Sequence, residues 1–205
     1  MALIKLNNKA VSNATAFGSI SSLGSMVFIK KLTASSSATL SFVDGTDGVV
    51  LDDTYKEYVF TFNNIHAATD NSNFTIGFRD GGTDYDAVKT TTAFLAYHKE
   101  DGSDSILSYV GGSDLAQSSD FQSIGSFLGT DNDECCSGTL QLFNPSSTTF
   151  VKHFISNSNA NCYDTYDRNF YVAGYNNVTA AIDAVQFKMS SGNIDAGDIC
   201  LYGIA

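Results

Sequence analysis

The stretch VQFKMSSGNIDAGDICLYGI, residues 185–204, carries the clearest secondary-structure signal in the chain. Val185, Phe187 and Met189 alternate with two polar residues, which is the period-2 pattern of a strand with one buried and one solvated face. After a short polar segment the alternation resumes, so the stretch predicts two strands joined by a turn. A final segment that belongs to a sheet also keeps the C-terminus from fraying.

The same pattern recurs along the chain and predicts an all-β fold. Segments rich in Phe, Tyr, Val, Ile and Thr alternate with clusters of Gly, Ser, Asn and Asp, and the one proline is Pro145. No window combines 3.6-residue apolar spacing with strong helix formers, so almost no helix is expected. The pattern predicts a single antiparallel β-sandwich of the jelly-roll type. The predicted strands are 26–32, 38–43, 57–63, 73–79, 92–98, 105–110, 139–143, 149–156, 169–174, 184–189 and 198–204.

The N-terminal segment differs in composition from the rest of the chain. It is dominated by small polar residues and ends in the Gly/Ser-rich run 18–25, which is typical of an extended arm or linker. Leu3, Ile4 and Leu6 are apolar enough to pair with a neighbour's sheet or to bind in its groove. A disordered terminus is an alternative of equal weight. The sequence therefore predicts an arm, 1–25, that is available for attachment to a partner, and one sandwich domain, 26–205.

Length and charge narrow the class of protein. The chain has 205 residues, of which 43% are hydrophobic, and a net charge of -11, so it has enough apolar side chains for one sizeable core. An acidic chain without a Lys/Arg cluster repels a phosphate backbone, so no nucleic-acid partner is expected. Lys5 interrupts the first apolar run and no later run reaches membrane-spanning length. We therefore expect a protein made in the cytosol with no membrane partner.

No metal or cofactor is predicted. Cysteines occur at 135, 136, 162 and 200, without the two-to-four-residue spacing of structural zinc sites, so reduced thiols are expected. Four loops are rich in carboxylates and leave calcium binding as an alternative, but none matches the twelve-residue calcium loop and turn chemistry explains them. These loops are 44–48, 80–86, 101–104 and 131–134.

No catalytic residue is predicted, and the chain is interpreted as a non-enzyme. The three histidines lie far apart in the sequence and no Gly-x-Ser-x-Gly motif is present, which argues against nucleophilic catalysis. His153 shares a strand face with Val151 and Ile155 and is expected to be structural. Glycoside hydrolysis commonly uses a pair of carboxyl groups, but in a chain with so many Asp residues a pair arises by chance and does not indicate a catalytic site. Polysaccharide cleavage therefore stays an alternative.

A Tyr- and Asn-rich stretch, 162–177, is the best candidate for recognition. A tyrosine presents a flat apolar face and a hydroxyl, which suits a sugar ring or a protein surface. Tyrosine is equally frequent in the packed part of ordinary strands, so packing and recognition carry equal weight. The candidate partner-binding residues in this stretch are Tyr163, Tyr166, Tyr171 and Tyr175.

Three stretches of the chain carry a resemblance to a known group of proteins. They are MALIKLNNKA at 1–10, LFNPSSTTFVKHF at 142–154 and AIDAVQFKMSSGNIDAGDICLYG at 181–203. Together they resemble virion structural proteins, often described as tail-fibre-like, of tailed phages that infect marine cyanobacteria and related marine bacteria. The region 44–133 has no such resemblance, and the group offers no catalytic motif to transfer.

The resemblance implies a non-enzymatic virion protein, assembled in the host cytoplasm. It would be a tail fibre or knob component, or another component of the particle surface. The resemblance implies that the N-terminal arm, 1–25, attaches to other virion proteins, and that a glycan of the host surface is a further partner. Fibre proteins are commonly homotrimers because identical sandwiches pack around an axis and present several copies of each loop, so a trimer is predicted. The alternatives are a capsid or tail decoration protein, and a carbohydrate-binding or carbohydrate-depolymerising domain.

Overall fold

In a computed structural model, which describes residues 25–205, the chain forms two antiparallel β-sheets and no α-helix. The larger sheet has eight strands in the order β1-β12-β3-β8-β9-β10-β5-β6, and the smaller has four in the order β2-β11-β4-β7. The strands are β1 Met26–Ser37, β2 Leu40–Val43, β3 Glu57–Ala67, β4 Ser72–Arg79, β5 Lys89–Lys99, β6 Ser105–Tyr109, β7 Gln122–Leu128, β8 Cys135–Phe143, β9 Lys152–Asn161, β10 Tyr166–Asn176, β11 Ala184–Met189 and β12 Ile194–Ile204.

The predicted all-β antiparallel sandwich is confirmed, because the two sheets pack face to face, and the jelly-roll type stays a prediction with which this arrangement is compatible. Every predicted strand overlaps an observed one, but β9 begins at Lys152 and not at Thr149. The sequence analysis missed β7, in which polar residues and Gly125 are buried beside Ile124 and so hide the alternation. Within residues 25–205 no helix is long and apolar enough to cross a membrane.

The closing stretch differs from a simple hairpin. β11 lies between β2 and β4 in the smaller sheet, whereas β12 lies between β1 and β3 in the larger one. The turn between them therefore crosses from one sheet to the other, and Gly192 within it has a φ of 71°, a conformation that glycine adopts without strain. The last two strands thus join the two layers of the sandwich.

An aromatic cluster fills the space between the sheets. Phe187 of β11 contacts Phe60 of the opposite sheet at a ring-centroid distance of 5.5 Å and stacks on Phe74 at 5.6 Å. Phe42 and Phe62 complete the cluster, and all five side chains are fully buried. Burial of each such ring contributes roughly 1.5–3 kcal/mol to folding, so this cluster is one of the elements that hold the two layers together.

The predicted N-terminal arm lies outside the described residues, apart from Ser25. Leu3, Ile4 and Leu6 belong to that part of the chain, so their role in attachment stays a prediction. The Ser25 carbonyl accepts a hydrogen bond from the Ala205 amide at 2.9 Å. The sandwich therefore begins at the edge of the larger sheet, beside its own C-terminus.

Gly138 in β8 lies at a close approach of two strands and a ring. A Cβ at this position would lie 2.8 Å from both the Phe62 ring and the Ser158 Cα. We expect Gly138→Ala to lower the free energy of unfolding by about 1–3 kcal/mol through overpacking, as measured by chemical denaturation. Gly112→Ala is the matched control, because nothing lies within 4 Å of its Cβ position. Equal effects of the two substitutions would contradict this account.

Candidate functional site

The outward side of the larger sheet carries four rows of side chains without a single Asp, Glu, Lys or Arg. We call these rows, formed by β5, β6, β8, β9 and β10, the outer face. In register across the strands they are Thr90, Tyr175 and His153; Thr92, Ala173, Ile155 and Gln141; Tyr109, Phe94, Tyr171, Asn157 and Thr139; and Leu107, Ala96, Asn169, Asn159 and Ser137. In a chain with a net charge of -11, a sheet face without acidic or basic side chains marks a candidate contact surface.

Large apolar side chains are exposed on the outer face. Leu107 is 74% exposed, Tyr109 58%, Ile155 47%, Phe94 44% and Tyr171 36%. Exposed apolar residues scattered singly are ordinary, but a contiguous apolar patch marks an interaction site. These five residues lie in three adjacent rows of one sheet face, so they form such a patch.

Aromatic pairs organise the centre and one end of the outer face. The Phe94 and Tyr171 rings, which lie on paired strands, stack with centroids 4.9 Å apart and an interplanar angle of 9°. His153 and Tyr175 form a second, tilted pair with centroids 6.0 Å apart. Cross-strand aromatic pairs of this kind restrict each other's orientation, so they present fixed apolar surfaces to a partner.

A shallow depression lies on the outer face around Ala173. Its volume is about 340 Å³, and its walls include Thr92, His153, Ile155 and Tyr175. The depression exists because the methyl group of Ala173 is flanked by larger side chains in its own row and in the next. Its volume is at the lower end of the range for ligand sites, enough for one ring or one large side chain.

The side chains of the outer face are apolar or neutral polar groups, apart from His153. The outer face combines aromatic and aliphatic surface with hydroxyl and amide groups, and His153 is its one histidine. Glycoside hydrolysis commonly uses two carboxyl groups on opposite sides of the bond, and the outer face carries none. Carboxylates border the outer face, because Tyr109, Gln141 and Asn159 donate hydrogen bonds to Asp114, Glu57 and Asp167.

The structure divides the four candidate tyrosines into two groups. Tyr171 and Tyr175 lie on the outer face, whereas Tyr163 and Tyr166 lie at the opposite end of β10. Tyr163 stacks against Phe127 at a centroid distance of 6.4 Å. The Tyr166 hydroxyl donates a hydrogen bond to Asp104 at 3.3 Å, so it is engaged in packing within the domain.

Arg168 is the centre of that second group. Its guanidinium lies 4.4 Å from the Phe127 ring centroid and 4.9 Å from that of Tyr166, and it donates to both carboxylate oxygens of Asp164 at 2.7 and 2.6 Å. Burial opposes the charge, but the hydrogen bonds to Asp164 raise the pKa of Arg168 above its ordinary value. All its strong interactions are made within the chain, which indicates a structural role.

The cysteines and acidic loops provide no assembled reactive site among residues 25–205. Cys136 and Cys162 are buried free thiols, and desolvation raises their pKa values to about 12 and about 11, so both stay protonated and unreactive. Cys135 and Cys136 lie on opposite faces of β8, as predicted. No group of three or more His, Cys, Asp or Glu side chains in this range is arranged to hold a metal ion.

Sequence analysis missed part of the outer face. Phe94, Leu107 and Tyr109 were placed in strands but were not assigned a role in binding. One signal in the sequence could have indicated an outward apolar residue. Phe154 and Ile155 follow each other in β9, and because neighbouring residues of a strand point to opposite faces, one of the two must point outward.

No family model, curated protein or solved structure matches this chain.

Proposed function

We propose that this chain is a non-enzymatic structural protein of a tailed-phage particle, and that the outer face is the surface through which it contacts a neighbouring copy of itself. The phage setting rests on the resemblance of the two ends and the 142–154 stretch. The observation that carries the contact function is the uncharged, apolar outer face on a strongly acidic chain.

Charge explains why such a face suits a second copy. Two chains that each carry a net charge of -11 repel each other, and this repulsion is weakest where the facing surfaces have no charged side chains. Interface cores are depleted in charged residues and enriched in Tyr and Phe, and the outer face has both properties. Its edge strand β6 adds exposed Leu107 and Tyr109, which extends the patch to the free edge of the sheet.

Replacement of Ile155 by aspartate tests the contact. The side chain lies on β9, at the end of the patch opposite β6, and is 47% exposed, so the substitution leaves the core intact and places a charge in the proposed interface. We expect the wild-type protein to sediment as a homo-oligomer and Ile155→Asp to sediment as a monomer at the same concentration, because burying an unpaired carboxylate is costly.

Phe150→Asp is the matched control, since Phe150 is 69% exposed and lies in the loop before β9, away from the four rows. It adds the same charge and is expected to leave the oligomer intact. A wild-type protein that is monomeric at all concentrations, or equal dissociation of both variants, would contradict the proposed contact.

Carbohydrate binding is the second candidate, favoured by the depression around Ala173. Tyr175 and Ile155 at its walls, with Thr90 and Thr92 beside them, offer an apolar surface and hydroxyls to a neutral sugar ring. A glycan array with the purified protein tests this function, and Tyr175→Ser should abolish any signal that comes from the depression. Release of reducing ends from a bound polysaccharide would indicate a depolymerase and contradict the non-enzymatic assignment.

The position of the chain in the particle requires an image of an intact virion in which the chain is located. Particles that lack the protein, adsorb normally and are fragile would favour a capsid or tail decoration protein. Particles that are stable but fail to adsorb would favour a fibre or knob.

Deletion of residues 1–25 is expected to leave a folded sandwich that no longer enters particles. Normal incorporation of the truncated protein would contradict the predicted attachment arm.

A further inference from the structure

A row of three polar side chains is buried on the inner side of the larger sheet. Lys152 of β9, Asn176 of β10 and Lys89 of β5 are directly opposite one another in register, and each residue has no exposed surface. This row lies on the side of the sheet away from the outer face. Lysine is almost never fully buried unless it is paired, so two buried lysines beside a buried amide call for a chemical explanation.

The amide of Asn176 has no hydrogen-bond partner. Both its Oδ1 and its Nδ2 are buried and unpaired, although each such orphaned group costs roughly 1–3 kcal/mol. Within residues 25–205 neither lysine forms an ion pair. Desolvation lowers the pKa of Lys89 to about 8, so a substantial fraction of this amine is neutral near physiological pH, and a neutral amine is a nucleophile.

The strand register places Lys89 closer to Asn176 than Lys152 is. The backbone N–H and C=O of Lys89 both bond to Ser118, on the side away from β10, so Lys89 and Asn176 form a non-hydrogen-bonded antiparallel pair. In such pairs the Cα atoms are roughly 4.5 Å apart and the side chains approach most closely. Asn176 and Lys152 then form the hydrogen-bonded type of pair, with Cα atoms roughly 5.5 Å apart.

The present contacts of the two amines also favour Lys89. Its Nζ donates to the Ala87 carbonyl at 3.0 Å and to the Ser119 carbonyl at 3.4 Å. Lys152 Nζ is held more tightly, by the carbonyls of Val178, at 3.0 Å, and Ala180. A rotation of the Lys89 side chain releases one ordinary and one long hydrogen bond, and it directs Nζ towards the neighbouring amide.

We propose that Lys89 and Asn176 join through an intramolecular amide bond between Lys89 Nζ and Asn176 Cγ. The neutral amine attacks the carboxamide carbon and forms the new C–N bond. The bond from Cγ to the original amide nitrogen then breaks, and that nitrogen leaves as ammonia. Lysine amine plus carboxamide gives a secondary amide plus ammonia, so no oxidant, reductant or further reactant is needed.

The reaction requires one proton to move from the attacking nitrogen to the leaving nitrogen. Asp80 follows β4, is partly buried, and its charge acts on both lysines, whereas the charges of Asp120 and Asp86 act more strongly on Lys89. The proposed role of the Asp80 carboxyl group is to accept the proton from the attacking amine and return it to the leaving group. It is regenerated at the end of the reaction.

The bond would connect β5 to β10 directly beneath the outer face. It would do so without cysteine chemistry, in a chain whose four thiols are free. Formation of the amide replaces the primary carboxamide of Asn176 and the ionisable amine of Lys89 with one neutral secondary amide, whereas Lys152 keeps its hydrogen bonds to the Val178 and Ala180 carbonyls.

Intact-mass measurement of the denatured wild-type protein tests the proposal without any variant. We expect a mass lower than that of the sequence by one ammonia molecule. Trypsin should then yield a branched peptide that joins segment 80–99, uncut at Lys89, to segment 169–188, because both segments are bounded by cleavable Lys or Arg residues. A full sequence mass, an ammonia loss with normal cleavage at Lys89, or a branch through Lys152 would each overturn the proposal.

Variants identify the participants. Lys89→Met and Asn176→Ala are each expected to restore the full mass and to remove the branched peptide. Lys152→Met is the matched control, because it makes the same change in the other neighbour of Asn176, and it should retain the lower mass and the branched peptide. Asp80→Asn should slow the appearance of the lower-mass species after refolding. An unchanged rate in Asp80→Asn would remove Asp80 from the mechanism, and loss of the branch in Lys152→Met would overturn the assignment to Lys89.

Discussion

Phe187→Ala is expected to lower the free energy of unfolding by about 3–5 kcal/mol, the range found for removal of a buried aromatic ring. The ring is fully buried and lies between the two sheets, with Phe60 on one side and its stacking partner Phe74 on the other. Its removal leaves a cavity at the point where the layers meet. The lost edge-to-face and stacked contacts add to the cost of the cavity.

Urea denaturation followed by tyrosine fluorescence measures this loss. Phe150→Ala is the matched control, since the same chemical change is made at a ring that is 69% exposed, and it should alter stability by less than about 0.5 kcal/mol. A loss below about 1.5 kcal/mol for Phe187→Ala would mean that the site collapses around the substitution. The aromatic cluster would then contribute little to joining the layers.

The parts of the fold that the sequence predicted are those in which local pattern and burial coincide. In β11 the buried residues include Val185, Phe187 and Met189, which are the alternating residues that mark the strand in the sequence. β7 shows the opposite case, because Gln122 and Ser126 are buried polar residues and Gly125 interrupts the pattern. Gln122 is buried because its amide bonds to Thr91 and Ser113, and such non-local partners leave no periodic signal.

The crossing of the closing stretch between sheets was not predictable for a related reason. A hairpin and a turn that crosses between layers have the same local sequence requirements, with polar residues and a glycine between two strands. Which one forms depends on the distant strands that accept β11 and β12, namely β2 and β4 for the first and β1 and β3 for the second. Strand order is a property of the whole core and not of the turn.

The candidate binding face was predicted in part. Tyr171 and Tyr175 were named from composition, and the structure places them together on the outer face, but composition also selected Tyr163 and Tyr166, which pack around Arg168. Phe94 and Ile155 join the outer face only through cross-strand register, which a single sequence does not reveal. The buried row of Lys89, Asn176 and Lys152 was missed because lysine and asparagine ordinarily indicate a solvated position.

The second large effect is expected at the Arg168–Asp164 pair. Asp164→Ala leaves the guanidinium, whose side chain is 8% exposed, without its carboxylate. Because an uncompensated buried charge is destabilising, we expect a loss of about 3–5 kcal/mol in the free energy of unfolding. The cation–π contacts with Phe127 and Tyr166 orient the guanidinium but cannot replace the two hydrogen bonds that it donates to Asp164.

A double-mutant cycle separates the interaction free energy of the Arg168–Asp164 pair from the cost of leaving the Arg168 charge without a partner. Combining Arg168→Met with Asp164→Ala removes both charges and keeps a linear side chain against Phe127, so the double variant should regain most of the stability lost in Asp164→Ala. Lys31→Ala, which breaks the exposed pair with Asp198, is the control and should cost at most about 1 kcal/mol. If the double variant were as unstable as Asp164→Ala, the loss would come from the loop that Asp164 occupies, and not from an unpaired charge beneath the aromatic rings.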